Sequence, residues 1–374
     1  MFLRTMLVVS AGFVFPELGP IDARPPSAQA FVDFDVNRYG DKEIRVSTLN
    51  RLKQNLRNVL SRSPHLFEPF VRLALADALT YDASTQTGGS NASIRLVLAK
   101  RNESAAGGLG TEGGVSRLVE ALKALEPIRS FIREVSWADT IAYAGVVALE
   151  LTRGPRMRVQ NGREDAPLQR QEQVWRSVEQ LTAYDRFLNG FGDDASTHVT
   201  LDDICTLLIR AGLVPAGDQK QARHAGLLIV GALGELRRLE HFLPRAETLT
   251  SDREDGRPAS ASSTFSEDTA QVTYGQVRDD ATGSKAVAVN TSVRSLTLGK
   301  ERFGNQYLRD LHSRLQRGEP VNATEASIAA DAETLKELES LAKASEKSFA
   351  NAYADLYQRA TLLGARYSRI DLEA

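Results

Sequence analysis

The 374-residue chain contains one cysteine, Cys205, and five histidines, and these small numbers limit the chemistry that it can support. A single thiol cannot form an internal disulfide or a CxxC metal site. None of the histidines lies in an HxxxH or HExxH arrangement, which argues against a zinc centre. The net charge is only −2, so no overall field favours nucleic acid or an anionic membrane.

The chain also lacks a long apolar run of the kind that spans a membrane. Its N-terminal apolar run, residues 6–15, is much shorter than the roughly 20 residues that a membrane-spanning helix needs. Arg4 precedes this run, two prolines interrupt it, and the sequence SAQA follows and ends at Ala30. A charged start, a short apolar centre and a small-residue site are typical of an export signal. We predict that residues 1–30 are removed and that the domain 31–374 is peripheral to a membrane without spanning it.

Apolar residues recur with helical spacing through most of the remaining chain, which predicts a mainly α protein. The Gly-rich stretch 88–114 is predicted to be mainly loop, and Pro127 is predicted to interrupt the helix before it. The polar stretch 247–293 is predicted to be a long loop with short strands at 270–277 and 286–289. Helices are predicted at 42–61, 68–79, 115–125, 136–151, 169–188, 201–211, 225–239 and, as one helix or a pair, 330–367.

Four stretches resemble the class I haem peroxidases, in particular the ascorbate peroxidases. Residues 71–81 read VRLALADALTY where the family has VRLAWHDAGTY, and residues 88–95 read GGSNASIR where the family has GGANGSIR. Residues 136–165 read SWADTIAYAGVVALELTRGPRMRVQNGRED and are similar to the family's YAD…LAGVVAVE…GGP…GRED pattern. Residues 348–364 read SFANAYADLYQRATLLG and are similar to FFADYAEAHQKLSELG. The resemblance implies a haem-peroxidase-like, two-lobed helical fold whose lobes, in the family, enclose a haem.

Peroxidase chemistry in this family needs a distal His that moves a proton between the two peroxide oxygens and a distal Arg that stabilises the developing charge. In the matching positions this chain has Arg72, Leu75 in place of a Trp, and Ala76 in place of the His. Asn91 matches the Asn that orients the distal His in the family. Alanine cannot transfer a proton, so we expect Arg72 and Asn91 to serve only as polar groups of the interior.

On the other face of the haem, a proximal His binds the iron and donates its second N–H to a carboxylate. The sequence IVGALGELR resembles the family's LSGAHTLGR and places Leu233 at the iron ligand. The sequence FGNQYL resembles FDNSYF and places Gly304 at the carboxylate, and the proximal Trp falls near Leu296. The resemblance therefore implies a vestigial site without catalytic residues, cofactor or metal. The alternative is a haem peroxidase with a rearranged site, in which His224 or His241 approaches the iron and ascorbate or a similar donor reduces peroxide.

A peroxidase-like chain with an export signal and an emptied haem site is similar to the non-catalytic ascorbate peroxidase relatives of the chloroplast thylakoid lumen. That resemblance implies a structural or auxiliary role beside the lumenal subunits of photosystem II, and no nucleic-acid partner. The candidate contact surfaces are the polar loop 247–293 and the Gly-rich segment 103–114, because long loops often carry binding residues. The alternative is that both loops are only solvated.

Overall fold

The structure, a computed structural model, describes residues 39–105, 114–192, 197–242 and 301–367. The chain divides into two units, Met1–Ser47 and Thr48–Ala374, and apart from the start of the first helix every described element belongs to the second unit. Several sequence-based predictions lie outside the described residues: the export signal 1–30, the polar loop 247–293 with its two short strands, most of the segment 103–114, and Leu296.

Helices account for the regular structure of the described residues, which contain no strand and only two isolated β-bridges. The predicted mainly α fold is therefore confirmed. The helices are α1 Tyr39–Arg62, α2 Phe67–Ala78, α3 Ile94–Ala105, α4 Gly114–Phe131, α5 Trp137–Leu151, α6 Leu168–Val178, α7 Thr182–Asn189, α8 Leu201–Arg210, α9 Gln219–Glu240, α10 Gln306–Arg317, α11 Ala323–Ala329, α12 Ala332–Lys343 and α13 Glu346–Ala360.

Helix α2 lies at the centre of the second unit. It packs against α4, α5 and α9, and α9 in turn packs against α8, α10, α12 and α13. Every residue of α2 is buried, including the three charged residues Glu68, Arg72 and Asp77 of its otherwise apolar sequence FEPFVRLALADA. Helix α2 carries the predicted distal positions Arg72, Leu75 and Ala76, and α9 carries the predicted iron-ligand position Leu233.

Helix α5 begins at the Ser predicted to cap it. The Ser136 hydroxyl accepts a hydrogen bond from the backbone N–H of Asp139, which satisfies one of the free donors of the first turn. The Asp165 carboxylate accepts two more, from the N–H groups of Trp137 and Ala138 at 3.1 and 2.8 Å. The acidic end of the GRED sequence thus stabilises the start of a helix 27 residues earlier.

The arginine of the same GRED sequence joins α5 to the end of α13. The Arg163 Nη1 donates to the Asp139 carboxylate at 2.8 Å, and its Nε and Nη2 donate to the carbonyl oxygen of Thr361 at 3.2 and 3.0 Å. All three residues are buried, so this ion pair is shielded from water and fully bonded. The motif that resembles the family is therefore structural in this chain.

Four sequence-based boundaries are wrong. Residues 94–105 are helix α3 instead of loop, because the Asp77 carboxylate on α2 accepts the N–H groups of Ala92 and Ile94 and fixes the start of α3 from outside its own sequence. Pro127 lies inside α4, which continues because Leu125 and Ile128 stay buried on its inner face. The stretch 169–188 forms two helices, α6 and α7, and α9 begins six residues earlier than predicted. Helices α10 and α11 were not predicted.

Candidate functional site

Three of the four predicted distal positions lie on the buried helix α2, and the fourth, Asn91, lies in the loop between α2 and α3. Arg72, Leu75 and Ala76 are each at most 1% exposed. The main-chain oxygen of Ala76 accepts a hydrogen bond from the Tyr184 hydroxyl at 2.8 Å, and its methyl side chain offers no group that can accept or donate a proton. The helix therefore presents one polar side chain at these positions, that of Arg72.

The guanidinium of Arg72 is held on three sides. Its Nε lies 2.7 Å from a carboxylate oxygen of Glu68, one turn earlier on α2, in an ion pair whose geometry is not aligned for a hydrogen bond. Its Nη1 donates to the carbonyl oxygen of Leu188 at 2.5 Å, and its Nη2 donates to that of Gly114 at 3.1 Å. These partners come from α2, α7 and α4, so the arginine connects three helices and is not directed at an open cavity.

Glu68 is fully buried and is surrounded by arginines. Besides Arg72, the guanidinium groups of Arg237 on α9 and Arg117 on α4 lie 3.6 and 3.7 Å from its two carboxylate oxygens. Burial alone raises the pKa of Glu68, but the charges of Arg72, Arg237 and Arg117 outweigh this effect and leave the pKa lowered. Burial, together with the two neighbouring arginines, lowers the pKa of Arg72 to about 10. Both members of the pair are therefore charged at neutral pH.

Asn91 makes local hydrogen bonds. Its Nδ2 donates to the carbonyl oxygen of Gly88 at 3.1 Å, and its Oδ1 accepts the N–H of Ser93 at 3.1 Å. These bonds hold the loop between α2 and α3 in shape, and the loop backbone in turn donates to Asp77 on α2. The amide thus has a structural use that does not depend on a histidine at position 76.

On the proximal side, Leu233 is buried in the middle of α9, 1% exposed. Two glycines beside it bring neighbouring helices close: a Cβ on Gly231 would lie 2.9 Å from the Leu308 side chain, and one on Gly234 would lie 2.5 Å from the Tyr307 ring. The space on this side is filled by a cluster of buried aromatic rings with centroids 5.7 to 6.3 Å apart: Phe303, Phe349, Tyr353 and Tyr357.

Gly304, at the position of the family's carboxylate, lies at the edge of an open, highly charged pocket of about 580 Å³. A Cβ at this glycine would lie 3.0 Å from the Glu346 side chain, which therefore leaves little room for a larger residue at position 304. The next residue, Asn305, is fully buried and donates to the carbonyl oxygens of Leu341 and Ala344. Leu296, the third proximal position, is outside the described residues.

The described residues do not fit a haem. An iron needs a nitrogen, sulfur or oxygen ligand, and Leu233 supplies none. The distal arginine is neutralised by Glu68 instead of facing a ligand. Helices α2 and α9 also pack against each other, and Arg237 Nη2 on α9 lies 3.6 Å from the Glu68 carboxylate on α2. The described His, Cys, Asp and Glu side chains also form no group that could hold a metal ion.

The two histidines of the alternative register lie near opposite ends of α9. His224 pairs through Nδ1 with the Glu337 carboxylate at 2.6 Å, and its side chain is 40% exposed. It borders a pocket of only about 140 Å³, whose lining includes Leu228 and Leu356. His241 follows the last residue of α9 and is exposed. Neither histidine occupies position 233, where the sequence alignment places the iron ligand.

Glu68 is the residue of this site that the sequence analysis missed. A glutamate four residues before an arginine on a helix usually indicates an exposed ion pair. The sequence does contain a signal that this pair is buried, since the apolar residues Phe67, Phe70 and Val71 surround it in the sequence. A helix with these neighbours has no polar face that could expose the pair to water.

Comparison with known proteins extends the resemblance found from the motifs. Residues 52–216 match the model of the peroxidase family, described as Peroxidase. A probable peroxisomal L-ascorbate peroxidase 4 of rice (Oryza sativa subsp. japonica) is 37% identical over 118 residues, which cover 32% of this chain and 37% of the rice protein. The chloroplastic thylakoid lumenal 29 kDa protein of Arabidopsis thaliana is 35% identical over 127 residues, which cover 31% of this chain and 35% of that protein.

Among solved structures, the crystal structure of the TL29 protein from Arabidopsis thaliana matches 88% of this chain and 98% of its own, with 16% identity and a TM-score of 0.40. The matched stretches span little more than a third of the length of the two curated relatives. The similarity to the peroxidase family and to its ascorbate peroxidase and thylakoid lumenal members is therefore shown at modest identity.

Proposed function

We propose that this chain is a non-catalytic haem-peroxidase-like protein of the chloroplast thylakoid lumen, with a structural or auxiliary role beside photosystem II. The observation that carries the first part is the buried Arg72–Glu68 pair, together with Ala76 and Leu233 at the positions of the two catalytic histidines. An arginine already paired with an internal carboxylate cannot stabilise charge on a bound peroxide without first losing that partner.

The proposed place of action rests on similarity. One curated relative carries the thylakoid lumen in its name, whereas others are named as peroxisomal or cytosolic ascorbate peroxidases. We favour the lumenal location over the peroxisomal and cytosolic ones because entry into the lumen requires transport across a membrane, which the export signal predicted at residues 1–30 would direct. None of the described helices is long and apolar enough to cross a bilayer. The proposed partners are the lumenal subunits of photosystem II.

The competing function is a haem peroxidase with a rearranged site. One observation favours it: the pairing of His224 Nδ1 with Glu337 has the form of the carboxylate bond that iron-ligating histidines use. The adjoining pocket argues against it, because about 140 Å³ is well below the roughly 300–1,000 Å³ of ordinary ligand pockets.

An activity measurement separates the two functions. The full chain is incubated with haemin, and ascorbate oxidation is followed after addition of hydrogen peroxide, with an active ascorbate peroxidase as positive control. We expect a rate equal to that of haemin alone. A saturable rate that the His224→Ala variant abolishes would establish the rearranged peroxidase instead.

The partner is tested separately. Cells are separated into peroxisomes and chloroplasts, the chloroplasts are fractionated into stroma, thylakoid membrane and thylakoid lumen, and the lumenal and membrane fractions are resolved on native gels. We expect the chain in the lumenal fraction, with part of it migrating together with photosystem II. Recovery only in the stroma or in peroxisomes would overturn the proposed location and with it the partner.

A further inference from the structure

Two segments of the chain carry positive charge without any acidic residue. Residues 48–62 contain four Lys and Arg and no Asp or Glu, and residues 151–163 contain four Arg and no Asp or Glu. The whole chain has a net charge of −2, so these segments depart strongly from its average. A local excess of positive charge of this kind bears on what the protein binds and gives no information about its fold.

The fold brings the two segments together. Lys53 Nζ and Arg57 Nη2 on α1 each lie 3.4 Å from the same carboxylate, that of Glu150 at the end of α5. Lys53 Nζ also lies 5.7 Å from the centre of the Tyr143 ring. The Tyr143 hydroxyl donates to the carbonyl oxygen of Val159 at 3.0 Å, so the second segment runs directly beside the first.

Within the second segment, two arginines point outward. Met157 is 5% exposed, whereas its neighbours Arg156 and Arg158 are both exposed. Neither arginine forms an ion pair with a described residue. We define the basic face by Lys53, Arg57, Arg156 and Arg158, and among the described residues the carboxylate paired with members of this set is that of Glu150.

We propose that this basic face docks an acidic protein surface, and the proposal rests on the proposed role beside photosystem II by naming the contact surface and the chemistry of the partner. A lipid bilayer is less well matched, because the exposed apolar side chain beside α1, Phe131, lies against Arg51, which is not one of the four residues of the face. Single-stranded nucleic acid is less well matched, because Tyr143, the aromatic residue beside the face, is only 6% exposed and offers no ring for stacking.

The test compares two double charge reversals that change the net charge equally. R156E/R158E alters the basic face, and R170E/R176E alters exposed arginines on α6. The milder R156Q/R158Q variant is included, and thermal unfolding verifies that each protein is folded. Binding of the full chain to photosystem II-enriched membranes is measured by sedimentation, and binding to polyglutamate and to phosphatidylglycerol vesicles is measured by titration.

We expect R156E/R158E to bind both the membranes and polyglutamate about tenfold more weakly than the unaltered chain at low salt, with R156Q/R158Q intermediate and R170E/R176E unchanged. Equal loss in the two reversal variants would overturn the basic face as a docking surface, whatever the membranes show. Failure of the unaltered chain to bind the membranes, with selective loss on polyglutamate, would overturn the photosystem II role and leave the basic face standing. Tighter binding to the vesicles than to polyglutamate would overturn the assignment to a protein partner.

Discussion

The guanidinium of Arg72 and the carboxylate of Glu68 form an ion pair at 2.7 Å, one turn apart on α2, with neither side chain more than 1% exposed. A charge buried this deeply must be neutralised, and here the counter-charge is part of the protein. The arginine that resembles the distal group of a peroxidase is therefore a packing element of this fold.

Removal of the Glu68 charge tests this role. Glu68→Gln leaves Arg72 buried without its nearest counter-charge, and we expect the free energy of unfolding to fall by about 3–5 kcal/mol in urea titrations. The matched control is Glu120→Gln, which removes an exposed partner of His65 and should change stability by less than about 1 kcal/mol. Replacement of both Glu68 and Arg72 by methionine should recover most of the loss, because neither member of the buried pair is then left without its partner. Equal effects of Glu68→Gln and Glu120→Gln would contradict the account.

The aromatic cluster offers a matched pair of tyrosines. The Tyr353 hydroxyl is buried and has no hydrogen-bond partner among the described residues, whereas the Tyr357 hydroxyl donates to the carbonyl oxygen of Ala142 at 2.9 Å. We expect Tyr353→Phe to raise the free energy of unfolding by about 1 kcal/mol and Tyr357→Phe to lower it by about 1 kcal/mol. Thermal and urea unfolding of the two variants measure the difference. Destabilisation by Tyr353→Phe would show that this hydroxyl does have a partner.

The close packing of α9 is tested at Gly234. A methyl group there would lie 2.5 Å from the Tyr307 ring, so Gly234→Ala should destabilise the protein by about 1–3 kcal/mol. Gly162→Ala is the comparison, because that glycine has a positive φ of 92° but nothing within 4 Å of the added methyl, and it reports backbone strain alone at about 1 kcal/mol. An unchanged free energy of unfolding in Gly234→Ala would show that Tyr307 is not packed closely against α9 next to Leu233.

The buried carboxyl group of Asp77 should make the stability of the protein depend on pH. Burial raises its pKa to about 7, against the opposing effect of the N–H groups of Ile94 and Ala92. Because the folded carboxyl holds its proton more tightly than the unfolded one, the free energy of unfolding should fall as the pH rises from its ordinary pKa of 3.8 to about 7, by about 2 kcal/mol between pH 5 and 8. Asp77→Asn should remove this slope. Asp82→Asn should leave it, since the pKa of Asp82 is lowered and that group is ionised throughout this range. An unchanged slope in Asp77→Asn would assign it to another group.

The sequence predicted most of the helices because their signals are local. Ser136 stands where a cap is expected, and the apolar spacing of α5 and α8 marks both helices. The register of Arg72 and Ala76 follows from an unbroken match along α2. The missed α10 has local signals too, since Leu308, Leu311 and Leu315 follow helical spacing.

What the sequence could not predict depends on contacts between distant residues. The start of α3 is fixed by Asp77, fifteen residues before its first N–H donor, and no local pattern indicates that bond. The carboxylate of Glu68 acquires its arginines from α4 and α9, 49 and more than 160 residues away along the chain. Pairings of this kind are visible only after the helices have packed.

The most direct test of the central claim is a titration of the full chain with haemin, followed by absorption spectroscopy. We expect that no stoichiometric Soret band with a histidine-ligated signature develops and that the spectrum stays that of free haemin, because Leu233 offers the iron no ligand and Arg72 is paired with Glu68. A one-to-one Soret band of the histidine-ligated type, reduced by His224→Ala or His241→Ala, would contradict the account.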